Sequence, residues 1–359
     1  MKTVGIVSEY NPFHNGHQYL VETSKRELDA QAVVAVMSGN FTQRGEIAFF
    51  DMYSRAQVAC ENGFDLVLEI PPQFVLTSAE FYAYYSVYIL HQLGIVDYLA
   101  FGSECGDIDE LKHVKKKDVN SMKAQMKSGV TYAKAVGDSP LLQSANNILG
   151  AEYLNALQKL QSPIIPYTIK RKGVSHDEMT TCEQFASASY IRKQLRDGAD
   201  VLNFLPRLPD ANPVWEDALI PMLNYRLALD CRNDLSDIQN ISEGLQNRIL
   251  SSRGKETFRD MIDAIKCKRY PETRIRRALY SILLDLKKTN ELPQYTRVLA
   301  FNETGQKLLK KMKKTAEIKI YSRITKTDIA TNIQLQKELF CNEIYRLAQQ
   351  HCNGGQNNG

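Results

Sequence analysis

The amino-acid sequence predicts an α/β protein, with a Rossmann-like parallel sheet in its first 200 residues and a mainly helical region after them. Short apolar runs indicate strands at 3–10, 32–39, 65–71 and 98–103. Stretches with helical spacing lie between them at 17–29, 51–63 and 78–94. Strands that alternate with helices of this length are typical of βαβ units and a parallel sheet. Ligands of such sheets bind beyond the carboxyl ends of the strands.

The remaining segments follow a different pattern. Residues 107–145 are polar and helical in pattern, 162–172 resemble a strand, and 187–198 resemble a helix. From about residue 205 the chain is rich in Leu, Arg and Lys, which indicates helices through 285 and a mixed segment at 295–325. We therefore predict a catalytic domain at 1–200, a helical region at 201–352 and a disordered, glycine-rich tail at 353–359.

Composition is that of an ordinary globular protein, with 43% apolar and 24% charged residues. No apolar run approaches the 18 or so residues that span a bilayer, and no signal-peptide pattern opens the chain, so we expect no membrane association. The seven cysteines occur singly, without a CxxC pair. Such a pattern predicts reduced thiols, a cytoplasmic location and no structural zinc site. Nothing in it indicates an oligomeric state.

Charge is distributed unevenly along the chain. Residues 1–100 contain five Lys and Arg against eleven Asp and Glu, whereas the whole chain has a net charge of +4. Residues 246–280 alone hold ten basic and four acidic side chains. A basic half of this kind favours a polyanionic partner such as RNA.

A pair of histidines follows the first strand. His14-Asn15-Gly16-His17 lies where that strand gives way to a helix. The N-terminus of a helix attracts phosphate, and glycine lets the backbone approach a ligand closely. Two imidazoles three residues apart can donate to phosphoryl oxygens as charge develops. The segment favours a nucleoside triphosphate site over a hydrolytic triad. The alternative is that these are two surface histidines that cap a helix.

A second segment, Ser187 to Lys193 (SASYIRK), combines a serine-rich turn with a basic helix. Ser187 and Ser189 can cap the helix and donate to phosphate, and Arg192 and Lys193 supply positive charge. Because serine-rich caps are common, the segment is informative only together with the histidine pair.

The two segments resemble the paired signatures of the nucleotidylyltransferase superfamily, HxGH and a Ser-rich turn before a basic helix. The resemblance to one family is closer, since GIVSEYNPFHNGH, AVMSGNFTQRGE, FGSECGD, NNILGAEY and SASYIRK occur in the order found in bacterial tRNA(Met) cytidine acetate ligases. It is strong over residues 1–200 and weak beyond them. It implies a nucleotidylyltransferase core, ATP-dependent activation of acetate to acetyl-adenylate, and transfer of acetyl to N4 of the wobble cytidine of elongator tRNA(Met), giving N4-acetylcytidine.

The same resemblance implies that His14 and His17 are catalytic and stabilise charge on the α-phosphate. The ATP-binding residues it implies are Val7, Ser8, Glu9, Tyr10, Asn11, Pro12, Phe13, His14, Asn15, Gly16, His17, Gln18, Tyr19, Leu20, Gly102, Asn146, Arg171, Lys172, Ser187, Ser189, Arg192 and Lys193. Asn147 could serve in place of Asn146, and the KRK run at 170–172 leaves the register of Arg171 open by one residue. We expect Mg²⁺ to accompany the triphosphate, although no acidic cluster indicates a protein-held metal.

RNA contacts are expected in the basic half. The predicted side chains are Lys268, Arg269, Arg274, Arg276, Arg277, Lys310 and Lys311. Tyr270, among the arginines, suits base stacking. For any one cluster a charged, solubilising surface is an equally good interpretation.

Three further segments allow two interpretations each. The loop SGNFTQRGE (38–46) suits an active site, where Gln43 and Arg44 contact substrate or RNA, or Arg44 pairs with Glu46 and orders the loop. Asp51 and Arg55 favour a helix ion pair at i and i+4. His176-Asp177 could supply a general base, but a surface turn is the better interpretation. A small-molecule adenylyltransferase remains the alternative function, and it leaves the basic half unexplained.

Overall fold

The computed structural model describes residues 1–113, 141, 144–171, 181–182, 184–229, 234–242 and 244–354. Its strands in chain order are β1 (Thr3–Ser8), β2 (Ala32–Ser38), β3 (Leu66–Ile70), β4 (Tyr98–Ser103), β5 (Ile165–Lys170), β6 (Thr181–Cys182), β7 (Phe185–Ala186), β8 (Tyr295–Phe301) and β9 (Lys319–Tyr321). Seven of them form one sheet in the order β5-β4-β1-β2-β3-β8-β9, and β6 pairs with β7 in a separate ribbon.

Helices surround this sheet and form the region after it. In chain order they are α1 (Asn15–Leu28), α2 (Met52–Glu61), α3 (Pro72–Val75), α4 (Ala79–Gln92), α5 (Ile108–Lys112), α6 (Ala145–Lys159), α7 (Ala188–Arg196), α8 (Ile220–Leu229), α9 (Leu245–Ser251), α10 (Phe258–Ile265), α11 (Glu272–Leu283), α12 (Glu303–Thr315), α13 (Lys326–Thr331) and α14 (Ile333–Gly354). No helix in the described ranges is both long and apolar enough to cross a bilayer.

The predicted α/β class is confirmed, but the sheet is not parallel throughout. Strands β1 to β5 pair in parallel, as expected of βαβ units. Strand β8 instead runs antiparallel to β3, and β9 runs parallel to β8. The mixed segment at 295–325 therefore completes the sheet, so strands come from both sides of the boundary placed at residue 200. That boundary stays a prediction.

Two other expectations need adjustment. Helix α14 ends at Gly354, so the first two residues of the tail predicted to be disordered are helical, and 355–359 lie outside the described residues. Of the helical pattern at 107–145, helix α5 and the first residue of α6 are described. The Lys115-Lys116-Lys117 run lies outside the described residues.

Two apolar cores hold the sheet and a third holds the helical half. Alternate residues of β2 point to opposite faces: Val34 and Val36 pack toward α4, α6 and α12, and Val33 and Ala35 pack toward α1 and α2. Burying an aliphatic side chain of this size contributes roughly 1.5–3 kcal/mol. The helical core includes Phe41 and Ile47 from the loop after β2. That loop is thereby fixed to the helical half.

A buried cluster of charges joins the sheet to α14. The Arg297 guanidinium contacts the Glu338 carboxylate, which also accepts a hydrogen bond from the Tyr295 hydroxyl at 2.6 Å. The Glu69 carboxylate also lies near the Arg297 guanidinium, at 3.6 Å. Burial, and the neighbouring Glu338 carboxylate, raise the pKa of Glu69 well above its ordinary value. One arginine thus serves two carboxyl groups, of which Glu338 has the better hydrogen bonds.

We expect Glu69→Gln to stabilise the protein at alkaline pH. The raised pKa means that the folded protein keeps a proton that the unfolded chain releases, so stability is greatest below the ordinary glutamate pKa and is lost as pH rises toward the raised value. Gln resembles the protonated acid and removes this loss. Urea unfolding should give the variant an advantage of about 1–2 kcal/mol at pH 8 and a smaller one at pH 5.5.

Glu338→Gln is the matched control for this effect. It removes the main anionic partner of Arg297 and should destabilise the protein by about 3 kcal/mol, because a buried charge is left uncompensated. An equal change in the two variants, or a Glu69→Gln advantage that does not grow with pH, would contradict the assignment of the proton to Glu69.

Candidate active site

A cavity of about 930 Å³ opens at the carboxyl ends of β1, β4 and β5. Its walls come from the turn between β1 and α1, the loop after β2, the start of α4, and helices α6 and α7. The first turns of α11, from the helical half, close the remaining side. Parallel sheets present ligands at this edge because the turns that follow their strands converge there.

His14 and His17 form a stacked pair on the cavity wall. Their ring centroids lie 3.7 Å apart with an interplanar angle of 23°. His14 is the N-cap of α1, and its Nδ1 accepts a hydrogen bond from the Gly16 amide at 3.1 Å. The Nδ1 of His17 accepts from the His14 amide at 3.2 Å, which completes a reciprocal capping box. The same two histidines therefore cap α1 and line the cavity.

These hydrogen bonds determine the tautomer of both rings. A ring nitrogen that accepts a backbone N–H carries no proton, so each neutral imidazole holds its proton on Nε2. Both rings are thus hydrogen-bond donors at Nε2. Because His14 is only 8% exposed, its ring is held in place before any ligand arrives. Two fixed donors at a helix N-terminus suit an anion whose charge grows during the reaction.

Aromatic packing supports the pair from behind. Tyr10 occupies the left-handed backbone region at φ +45° and is buried, with its ring edge-on to His17 at a centroid distance of 4.8 Å. Phe13 packs against Tyr10 and His17 and is buried away from the cavity. The glycine at position 16 also helps to place His14, because a Cβ there would lie 2.9 Å from Cε1 of the His14 ring. Its absent side chain makes room for the histidine ring.

Helix α7 brings the second predicted segment to the same cavity. Ser187 is its N-cap and accepts from the Tyr190 amide at 3.1 Å, as expected. Arg192 donates to the Asn11 carbonyl at 2.8 Å and to the Glu46 carboxylate at 2.9 Å. Ser187, Ser189 and Arg192 line the cavity, whereas Lys193 is exposed and does not.

Arg171 and Asn146 form the opposite wall. Arg171 packs its side chain over Gly102, where a Cβ would lie 3.3 Å from its Cγ. Burial lowers the pKa of Arg171, and its Nε has no hydrogen-bond partner. Glu104 is 3.9 Å away but is occupied by Asn146, which donates to it at 2.7 Å. The wall thus presents a half-buried cation, with its Nε atom buried, for which the described residues provide little compensation.

The positions of Asn146 and Asn147 favour Asn146 as the residue beside a ligand. Asn146 lines the cavity. Asn147 is buried, and its carbonyl accepts from the amides of Glu104 and Cys105 at 2.9 and 3.2 Å. Asn147 therefore orders the turn after β4, and Asn146 faces the ligand space.

The loop after β2 is held by a buried arginine. Arg55 is fully buried and donates to the carbonyls of Glu9, Gly39 and Phe50. The expected ion pair with Asp51 is wrong, since Asp51 instead caps α2 by accepting from the Tyr53 and Ser54 amides. An i, i+4 pair suits an exposed helix face, but Arg55 faces inward and finds carbonyls there.

The other residues of this loop meet the cavity. Glu46 pairs with Arg192, and Arg44 lines the cavity. The Gln43 amide donates to the Glu9 carboxylate at 2.6 Å. Gly45 has φ +78° and lies so close to α11 that a Cβ there would be 2.6 Å from the backbone nitrogen of Arg277. The loop therefore links the histidine wall to the helical half.

Comparison with known proteins identifies the family. The family model described as HIGH Nucleotidyl Transferase matches residues 1–358. The tRNA(Met) cytidine acetate ligase of Clostridium novyi is 36% identical over 91% of this chain and 91% of its own, and that of Caldanaerobacter subterraneus is 37% identical over 97% and 96%. The chain belongs to the tRNA(Met) cytidine acetate ligase family.

Solved structures agree with this assignment. The apo crystal structure of Thermotoga maritima TmcAL superposes with a TM-score of 0.88 at 28% identity, over 97% of this chain and 95% of that one. The structure of the same protein bound with alpha-thio ATP gives 0.80 at 29% identity, over 97% and 92%. The tRNA(Met) cytidine acetate ligase fold is thus shared along nearly the whole chain.

Most residues that the family resemblance implied for ATP do meet in the cavity. They are Val7, Ser8, Glu9, Tyr10, Asn11, His14, Gly16, His17, Tyr19, Leu20, Gly102, Asn146, Arg171, Ser187, Ser189 and Arg192. Pro12, Phe13, Asn15, Gln18 and Lys193 do not line it. Asn15 donates to the Gln184 and Asn203 carbonyls, and Gln18 donates to Glu22. Lys172 and His176-Asp177 lie outside the described residues.

The predicted RNA-contacting side chains fall into three groups. Arg274 and Arg277 line the cavity, whereas Lys268 and Arg269 are exposed outside it, as are Lys310 and Lys311 on α12. Arg276 is only 14% exposed and pairs with Glu216 at 2.7 Å and Glu272 at 3.3 Å. It holds the helices together, so the structure does not support the predicted RNA contact there.

Tyr270 is also misjudged as a stacking surface. It is 4% exposed, and the guanidiniums of Arg269 and Arg274 lie 5.6 and 5.3 Å from its ring centroid. The tyrosine orients these arginines from beneath and is not open to a base.

Sequence reasoning missed several lining residues. Tyr82 and Tyr153 reach the cavity from α4 and α6, and Asn240 and Thr273 reach it from the helical half. Tyr82, Asn240 and Thr273 lie in stretches without a motif. Tyr153 ends the NNILGAEY segment, but only the three-dimensional fold shows that its side chain lines the cavity. No group of His, Cys, Asp and Glu suited to hold a metal ion occurs in the part of the chain that the structure describes.

Proposed function

We propose that this chain is a cytoplasmic ATP-dependent ligase that activates acetate as acetyl-adenylate and transfers the acetyl group to N4 of the wobble cytidine of elongator tRNA(Met). One observation carries the proposal. The histidine pair, the half-buried Arg171 and the basic start of α11 line a single cavity. This arrangement supports a phosphate site and an RNA contact in one cavity, in a chain of this family.

The first step is adenylation. An acetate oxygen attacks the α-phosphorus of ATP, the bond to the β-phosphate oxygen breaks, and pyrophosphate leaves. In this proposal the Nε2 donors of His14 and His17 meet the charge that develops on the α-phosphate. Arg171 and Arg192 neutralise the triphosphate. Mg²⁺ accompanies ATP as part of the substrate, because such a polyanion is normally bound with it.

The second step is acyl transfer to RNA. The cytidine amine attacks the acetyl carbon, and AMP leaves. Arg274 and Arg277 on α11 support this step because they give the cavity a basic wall on the side of the helical half. The alternative, a small-molecule adenylyltransferase, gives no role to that wall.

ATP–pyrophosphate exchange tests the activation step. Purified protein should exchange label between pyrophosphate and ATP when acetate is present and not when it is omitted, in the absence of tRNA. A parallel assay with total tRNA tests whether RNA must bind first. Exchange that ignores acetate in both assays, or acetate-dependent exchange without acetylation of any tRNA, would reject the proposal.

RNA binding should depend on the exposed basic residues beside α11. We expect the double variant Lys268→Ala/Arg269→Ala to bind tRNA more weakly and to lower the slope of log Kd against log salt concentration. Each lost phosphate contact reduces the slope by roughly 0.7–0.9. Lys310→Ala/Lys311→Ala is the matched comparison, because those residues lie on α12 and are equally exposed. Equal slopes in both variants and the wild type would exclude all four residues from the RNA interface.

A further inference from the structure

Two acidic side chains line the cavity among the residues that the structure describes, Glu9 and Glu46. Glu46 is occupied, since its carboxylate pairs with Arg192 at 2.9 Å. Glu9 accepts one hydrogen bond, from the Gln43 amide at 2.6 Å, and no ion pair holds it within the described ranges. Glu9 is therefore the carboxyl group at this site that remains able to accept a proton.

Glu9 lies between the turn that carries His14 and His17 and the loop that contacts α11. On one side, the adjacent Tyr10 packs edge-on to His17 at 4.8 Å. On the other, Gln43 precedes Gly45, which lies directly against the backbone of Arg277 on α11. Glu9 lines the same cavity as the histidines and the start of α11, which is the space that an adenylate and its acceptor would share.

The backbone at Glu9 is held rigidly. The buried Arg55 guanidinium donates to the Glu9 carbonyl and to the Gly39 carbonyl, so the ends of β1 and β2 are joined beneath the cavity. Together with the Gln43 amide, this fixes both the main chain and one carboxylate oxygen. Catalytic groups that accept protons need such fixed geometry.

The surroundings of the carboxyl group make it a stronger base than an exposed glutamate. Burial raises the pKa of Glu9, and the Glu46 carboxylate on the neighbouring loop raises it further. Arg44 of the same loop, Arg55 of α2 and the Gln43 amide act in the opposite direction. Tyr82 on α4 and Tyr153 on α6 also line the cavity and interact electrostatically with Glu9.

We propose that Glu9 is the general base of acetyl transfer. This inference rests on the proposed function. The N4 lone pair of the cytidine attacks the acetyl carbon of acetyl-adenylate and forms the N–C bond. The C–O bond to AMP breaks, and AMP leaves with its electron pair as the phosphate anion. The proton lost from N4 passes to the Glu9 carboxylate, which returns it to solvent.

Single-turnover acetyl transfer from synthetic acetyl-adenylate to tRNA isolates this step. Glu9→Gln keeps an oxygen acceptor for the Gln43 amide but cannot take a proton. We expect its transfer rate to fall by about 10²-fold or more, while acetate-dependent ATP–pyrophosphate exchange falls by a clearly smaller factor. The wild-type transfer rate should rise with pH as Glu9 ionises, and the variant should lack that rise.

Glu9→Asp provides the second variant. It restores a carboxylate on a shorter stem, so we expect transfer between that of Gln and wild type, with the rise in rate with pH regained. Equal losses in exchange and transfer, together with an unchanged pH profile in Glu9→Gln, would show that Glu9 only orders the loop, and would overturn the inference. Failure of acetate-dependent exchange in the wild type would instead reject the proposed function.

Discussion

Replacement of His14 by asparagine should lower acetate-dependent ATP–pyrophosphate exchange by about 10²–10³-fold, with little effect on stability. The two roles of His14 make this substitution informative. Its Nδ1 caps α1 by accepting from the Gly16 amide at 3.1 Å, and its Nε2–H would donate a hydrogen bond to a phosphate oxygen. Asparagine is among the best N-cap residues, so it keeps the first role and removes the second.

Three comparisons define that result. His14→Ala should lose the same activity and about 1 kcal/mol of stability as well, because the cap is lost. His17→Asn should resemble His14→Asn, since the two rings stack and share the site. His91→Asn makes the same chemical change at the end of α4, where the ring contacts Ser162, and should leave exchange at the wild-type level. If His14→Asn keeps ATP–pyrophosphate exchange within about threefold of the wild type, His14 does not stabilise the α-phosphate.

The sequence was sufficient to predict the parallel part of the sheet. Strands such as β2 are buried on both faces and therefore appear as continuous apolar runs between helices. Strand β8 was harder to predict because it lies after the helical region and pairs antiparallel with β3. Its place in the sheet depends on packing between distant segments, which local periodicity does not encode.

The candidate site shows the same division. The histidine pair and the Ser187 cap were predictable because both sit at helix starts, where a few neighbouring residues determine the geometry. Arg55 and Arg276 were misjudged for one shared reason. Their partners come from other segments: the carbonyls of Glu9 and Gly39 for Arg55, and the Glu216 carboxylate for Arg276. A guanidinium's burial, and hence its role, follows from the tertiary fold.

Arg171→Met should have opposite effects on stability and on ATP binding. Burial lowers the pKa of Arg171, which means that the folded protein bears a cost for keeping its charge. Its Nε is buried without a hydrogen-bond partner, and Glu104 at 3.9 Å is occupied by Asn146. Methionine keeps the packing over Gly102 and removes the charge. The free variant should therefore be more stable than the wild type, by about 1 kcal/mol.

ATP binding should change in the other direction. Charge-assisted hydrogen bonds to a phosphate contribute about 1.5–3 kcal/mol, so we expect ATP affinity to fall roughly 10–100-fold. Thermal unfolding with and without ATP measures both effects in one protein. At an ATP concentration 100 times the wild-type Kd, ligand linkage stabilises the wild type by about 2.7 kcal/mol and a variant that binds 30-fold more weakly by about 0.9 kcal/mol.

The signs of the two changes distinguish a ligand-directed arginine from a structural one. If Arg171 were structural, its substitution would destabilise the protein, because the groups that it contacts would lose their hydrogen-bond partner. ATP affinity would then change little. Arg207→Met is the matched control: Arg207 pairs with Glu61 at 2.9 Å on the surface and should alter stability by less than about 1 kcal/mol and ATP affinity not at all. Arg171→Lys keeps the charge without the planar fork and should bind ATP with intermediate affinity. A destabilised Arg171→Met variant with normal ATP binding would assign Arg171 to the Glu104 turn and leave the triphosphate to Arg192 and the histidines.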